Sequence, residues 1–209
     1  MPKRHPVGMT FQYCGGGMRG TNEALFDSPA DWISPNPDGG YRDDPPAADG
    51  SSARSAPVII TDTDHLWGIG GNPSWVWKSF LRGLNPLFMD PYDGSVLAKR
   101  FDPQWQPVRL SLGYARNLAE RINLAAMTPH NRLASTGYCL ADPGTEYVVY
   151  LPKGGDVTVD LSLAKGKVRL EWLNPTDGTT HRGSGDGAGK RRFTAPFSGA
   201  AVLTIKSVG

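Results

Sequence analysis

The feature that most constrains this chain is a change of hydrophobic period near residue 130. Upstream, short apolar runs alternate with helical patterns. "HPVGMTFQY" (5–13), "PVIIT" (57–61) and "NPLFM" (85–89) have the length and the β-branched or aromatic content of strands. The nearly continuous apolarity of "PVIIT" is what a strand covered on both faces of a parallel sheet shows. "NPSWVWKSFLRG" lies between the last two. Asn72 can cap a helix there, Pro73 suits its first turn, and Gly83 suits the position just past its end. Val76 with Phe80 and Trp77 with Leu81 supply apolar pairs at i,i+4. A second helix is predicted over 107–122, with Val108, Leu112, Ala115, Ala119 and Ile122 on one stripe.

Downstream the period falls to two. "TEYVVYLP", "DVTVDLS", "KVRLEWLNP" and "GAAVLTIK" alternate, and "RRFTAPF" does so less cleanly. In "KVRLEWLNP", Val168, Leu170 and Trp172 can face a core while Lys167, Arg169 and Glu171 face water. Turn residues in "KGGD", "AKGK" and "NPTDGTT" separate the runs, which predicts a small antiparallel β-sandwich over 131–209. "HRGSGDGAGKRR" reads as a flexible hairpin or loop tip, and the polar stretch 36–56 as a long exposed loop. The expected fold class is therefore α/β followed by all-β.

The charge balance, 22 Lys and Arg against 20 Asp and Glu, gives neither nucleic acid nor an anionic membrane surface a footprint. No apolar run approaches the roughly 18 residues of a membrane span, and "MPKRHPVGMTFQY" lacks the apolar core of a signal peptide. Cys14 and Cys139 form neither a metal-ligand spacing nor a disulfide framework, so the compartment stays open. No serine-hydrolase elbow, zincin helix or P-loop is present.

In parallel α/β folds ligands bind at the carboxyl ends of strands. Asp62, Asp64 and His65 follow "PVIIT", Asp90 and Tyr92 follow "NPLFM", and Gln12 and Tyr13 follow "GMTF". Carboxylates on such a rim suit glycoside hydrolysis, and an indole suits the apolar face of a sugar ring. Trp32, Trp67 and Trp75 are the tryptophans in reach, with Asp31 beside Trp32. Two other readings stand beside this one. Asp62 and Asp64 can cap a turn, or "DTD" with His65 can hold a divalent cation, although hard-cation sites recruit more carboxylates than this.

"DSPADWISPN", "IITDTDHLWGIGG", "WVWKSFLRGLNPLFMDPYDG" and "LASTGYCLADPGTEYVVYLPKGG" together resemble the apiosidase-like glycoside hydrolases. These are (β/α)8 barrels with a C-terminal β module known as a collagen-binding domain of a collagenase. The resemblance runs from about His5 to the end. It implies a retaining-type barrel with one carboxylate late in the barrel and an acid/base residue near the end of the fourth strand. "IITDTDH" would then be the seventh strand and "NPLFMDPY" the eighth. Asp62, or else Asp64, would be the late carboxylate, where related barrels more often carry glutamate. Asp31, Trp32, His65, Trp67, Asp90 and Tyr92 would shape the sugar site, with no metal and no cofactor.

A whole barrel takes about 250 residues, so residues 1–128 suffice for about strands 6–8, and the acid/base strand is expected to precede Met1. The chain is thus expected to be the C-terminal part of a longer enzyme, incomplete for catalysis alone. A non-catalytic reading stands beside it: residues 131–209 binding glycan or matrix protein, or simply bracing the barrel. The implied partner is carbohydrate, together with self-association through the strand edge at 5–13, which a missing neighbour would otherwise cover.

Overall fold

The computed structural model describes residues 5–14, 17–48, 57–68, 70–89 and 103–208. The first half holds β1 (Gly8–Thr10), β2 (Gln12–Cys14), β3 (Gly17–Arg19), α1 (Asn22–Phe26), β4 (Trp32–Ser34), β5 (Val58–Asp62), α2 (Thr63–Trp67), α3 (Pro73–Leu81), β6 (Asn85–Leu87) and α4 (Gln106–Ala119). The second half holds β7 (Thr128–Pro129), β8 (Cys139–Asp142), β9 (Glu146–Leu151), β10 (Gly154–Asp160), β11 (Lys167–Leu173), β12 (Thr180–Asp186), β13 (Lys190–Ser198) and β14 (Ala201–Val208).

The first half is a parallel sheet in the order β1-β4-β5-β6, each strand beside its successor. Ile33, Ile59 and Thr61 point into the helix-packed core, where they are buried. Where three strands were expected, four are found. The extra one, β4, is three residues long, too short for any period to register. Trp32 starts it, and its indole lies across the neighbouring strand at Gly8, where an added Cβ would fall 1.8 Å from the ring. β1 also ends at Thr10, earlier than expected, and Gln12 opens the β2–β3 hairpin instead.

α3 starts as the sequence predicts, with the Asn72 carboxamide oxygen accepting from the Trp75 N–H at 2.9 Å. The loop after β4 is not the free excursion expected of 36–56. Tyr41 is buried, the Asp44 carboxylate accepts from the Tyr138 hydroxyl at 2.7 Å, and the Ala48 N–H donates to the Arg82 carbonyl. Residues 49–56 lie outside the described residues.

The second half is a sandwich of unequal sheets. Six antiparallel strands in the order β12-β11-β14-β9-β8-β7 face the pair β10-β13. Val168, Trp172, Leu203, Ile205, Val149 and Tyr147 close the core between the two sheets. The other face of the large sheet is not solvated. Leu140, Val148, Tyr150, Leu173 and Val202 pack on α3 and α4 in one core with Trp77, Phe80 and Leu118. Tyr147 and Tyr150 are both buried, one on each face of the sheet. The segment 181–192, read as a flexible hairpin or loop tip, is strand on either side of a short turn. β12 is a solvent-exposed edge paired with β11, and a turn at 187–189 carries the chain across to β13 on the other sheet. Edge strands tolerate such glycine and charge because only one side of them must pair.

Candidate functional site

Parallel pairing brings the strand ends into one row. Thr10 is in register with Ser34, and Asp62 with Leu87, so the last residues of β1, β4, β5 and β6 form a rim on the carboxyl side of the sheet. α2 follows β5 without a loop, because the Asp62 carboxylate accepts from the Asp64 N–H at 3.0 Å and caps the helix. That turn swings His65 back over the rim. Its Nδ1 lies 2.7 Å from the Ser34 hydroxyl, and the Thr10 hydroxyl sits 3.1 Å from Nδ1 and 3.0 Å from Nε2. Ser34 is almost fully buried. A half-buried imidazole is therefore held by two hydroxyls from two strands.

Asp62 is half-buried, and burial pushes its carboxyl pKa up. The Asp64 N–H and the His65 charge pull it back, and the Asp64 charge pushes it up again. Its second oxygen accepts no hydrogen bond among the described residues. A carboxyl with a raised folded-state pKa favours folding below its unfolded value of about 3.9, and that contribution is lost as pH rises through the folded value. Asp62→Asn keeps the capping oxygen and removes the charge. At pH 7 its unfolding midpoint in urea should equal or exceed that of the parent, and a clear loss of stability would mean that the charge itself holds α2.

Trp67 borders the same rim. Its ring meets Trp75 edge-on at 5.1 Å and 87°, and the Arg42 guanidinium lies 5.8 Å from its centre. Trp75 is core, only 1% exposed, so it is a support and not a sugar platform. Asp64 is exposed on α2. Among the described residues no three His, Cys, Asp or Glu side chains stand together to hold a metal, and the first aspartate of "DTD" is engaged as a helix cap.

Asp31 and Trp32 do not belong to this cluster. They sit at the start of β4, across the sheet from the rim. Asp31 takes a hydrogen bond from the Val7 N–H on its carboxylate at 2.8 Å and one from the Val58 N–H on its carbonyl at 2.9 Å. Asp31 thus ties together the beginnings of β1, β4 and β5. The structure therefore places Asp31 and Trp32, expected to shape the sugar site, at the start of β4 and away from the strand-end rim. Asp90 and Tyr92 lie outside the described residues. Thr10 and Ser34 were missed. Both are small hydroxyl residues whose role shows only once β1 is seen to stop at Thr10 and β4 to exist.

No curated protein sequence matches the chain. Residues 127–203 match the family described as "Putative collagen-binding domain of a collagenase". Among solved structures, the fold is similar to a glycoside hydrolase at 17% identity and a TM-score of 0.53, over 73% of this chain and 43% of the other. It is also similar to a glycoside hydrolase family 5 protein from Bacteroides vulgatus ATCC 8482, at 14% identity and a TM-score of 0.55, over 72% and 42%. The chain thus spans less than half the length of the solved chains it matches. A parallel α/β region followed by antiparallel sheets, resembling part of a glycoside hydrolase and carrying a collagen-binding-like C-terminal region, is what these observations establish.

Proposed function

We propose that this chain is the C-terminal part of an apiosidase-like glycoside hydrolase barrel and that its strand-end rim forms one wall of a sugar site. The observation that carries the reading is Asp62, half-buried at the carboxyl end of a parallel strand, with its pKa raised and His65 fixed beside it. Asp62 is the family's late carboxylate, with Asp64 as the alternative on the same helix turn. His65, Thr10 and Ser34 offer hydrogen-bonding groups to sugar hydroxyls, and Trp67 offers an apolar ring. Retaining hydrolysis needs two carboxyl groups about 5–5.5 Å apart. The rim offers Asp62 for one of these roles, so sugar binding, and not turnover, is the activity proposed for these residues.

The test is calorimetric titration with a panel of neutral plant cell-wall oligosaccharides, beside a hydrolysis assay. Binding should weaken by about tenfold in Asp62→Asn, as expected when one charge-assisted hydrogen bond is lost, and should change little in Asp64→Ala. The reverse pattern would move the carboxylate role to Asp64. Measurable turnover by the unaided chain would overturn the incomplete-site reading.

The bracing role of the β module is favoured over independent binding. Its exposed large hydrophobic residues are Leu163 and Val208, neither aromatic, among the described residues. Its buried outer face is already occupied by α3 and α4.

The open sheet edge supports the proposal that the chain self-associates. Among the described residues β1 pairs only with β4, and Val7, Met9, Val58 and Leu87 are exposed on or beside the strands. Unpaired edges with apolar neighbours template further pairing. Sedimentation of the chain should show species heavier than a monomer, shifted toward monomer by Met9→Lys. A monodisperse monomer at every concentration would reject this.

A further inference from the structure

Beyond the last turn of α4, the face of the large sheet turned toward that helix leaves its apolar cover and opens as a cleft of about 460 Å³. That size is ordinary for a small-ligand site, roughly 300–1,000 Å³. Leu118 and Ile122 form its aliphatic wall, while Thr204, Arg169 and Lys206 line the sheet side. The charges there do not balance. Glu171 takes hydrogen bonds from Arg121 at 2.5 Å and Arg182 at 3.1 Å, which outweigh its burial and hold its pKa low. Glu146, 3% exposed, accepts from the Asn123 N–H at 3.1 Å and faces Lys206 at 3.5 Å. Two carboxylates thus stand against four cations.

Arg169 is the cation left over. It is exposed, and its guanidinium has no ion-pair partner among the described residues. It is also directly in register with Lys206 on the adjacent strand. Like charges placed opposite one another across a sheet are destabilising, so the fold itself gains nothing from this pair. A planar anion between them would be held by the guanidinium fork and the ammonium together.

We propose that this cleft binds a carboxylate-bearing sugar unit of an acidic glycan. The carboxylate would lie on Arg169 and Lys206, a ring hydroxyl would meet Thr204, and an apolar ring face would rest on Ile122. The carbohydrate class rests on the proposed function, whereas the anion site rests on the charges alone. Arg121 and Arg182 hold Glu171 out of the way and keep it from repelling the ligand.

The experiment is titration of the full chain with an alginate oligomannuronate, against a neutral cello-oligosaccharide of equal length and against inorganic sulfate. Oligomannuronate should bind, with affinity falling as salt rises. Arg169→Ala and Lys206→Ala should each cost about tenfold, as for one charge-assisted contact. Arg169→Lys should recover only part of this loss, because the fork is gone, and Lys165→Ala, outside the cleft, should cost nothing. Asp62→Asn should lower neutral-sugar binding without changing how oligomannuronate binding depends on Arg169 and Lys206, which separates the two sites. Oligomannuronate binding with no neutral-sugar binding at the rim would sink the rim reading and leave this one standing. Neutral-sugar binding that falls as far as oligomannuronate binding in Arg169→Ala and Lys206→Ala, binding of sulfate alone, or indifference to both alanine variants would overturn the proposal.

Discussion

Trp77→Ala is expected to destabilise the protein by about 3–5 kcal/mol, the usual cost of truncating a large buried aromatic. Trp77 is fully buried on α3, stacks on Tyr150 of β9 at 6.3 Å and 25°, and meets Phe80 edge-on. Its place matters as much as its size. The indole lies where the parallel half and the antiparallel half share one core, so removing it loosens their coupling as well as each side's packing. Calorimetry should show a lowered midpoint and a single transition splitting into two. Trp77→Phe should retain most of the stability, since the buried indole N–H has no hydrogen-bond partner among the described residues and its removal strands nothing. A single transition at an unchanged temperature in Trp77→Ala would show that the shared core contributes little.

The second large effect is expected at Gly154, where β10 begins. Its φ is +67°, and an added Cβ would fall 2.0 Å from the carbonyl oxygen of Gly199, the turn residue between β13 and β14. The left-handed backbone costs a residue with a side chain about 1–2 kcal/mol, and forcing the turn aside adds about 1–3 kcal/mol. Gly154→Ala should therefore lower the urea midpoint substantially. Gly155→Ala is the control: its φ is +72°, but its Cβ would meet nothing within 4 Å, so only the backbone cost applies. Hydrogen exchange should locate the damage in β10 and β13, where Val157 and Val159 are paired with Phe193 and Arg191. Equal losses in the two variants would show that the Gly199 turn yields freely.

Much of this architecture is legible in the residues because local signals and burial agree. Asn72 and Pro73 announce α3, and Val168 and Trp172 are buried as alternation requires, with Leu170 half-buried behind them. The failures share a physical cause, namely that the partner of a segment is far away in sequence. β4 is three residues and exists because β1 and β5 pair with it on both sides. Tyr150 is buried on the outer face of its strand because its neighbour is Trp77, on a helix of the other half. β12 reads as a loop and becomes a strand because β11 supplies every partner it needs. At the rim the aspartates were visible and the hydroxyls were not. Asp62 and His65 carry unusual chemistry in any context, whereas Thr10 and Ser34 acquire a role only by meeting His65.

The position of β14 has a consequence in time. It follows β7 to β13 in chain order, yet it lies between β11 and β9 near the middle of the six-stranded sheet. During synthesis β7, β8 and β9 must wait as one ribbon, and β11 and β12 as another, with a slot between them. Only when the strand carrying Val202, Leu203 and Ile205 leaves the ribosome can the ribbons join and cover α3 and α4. A nascent chain halted before residue 201 would hold an open sheet and an uncovered helix pair, both plain targets for chaperones and proteases. Placing the strand made last of these six near the centre means that the sheet closes only after β7, β8, β9, β11 and β12 have all been made.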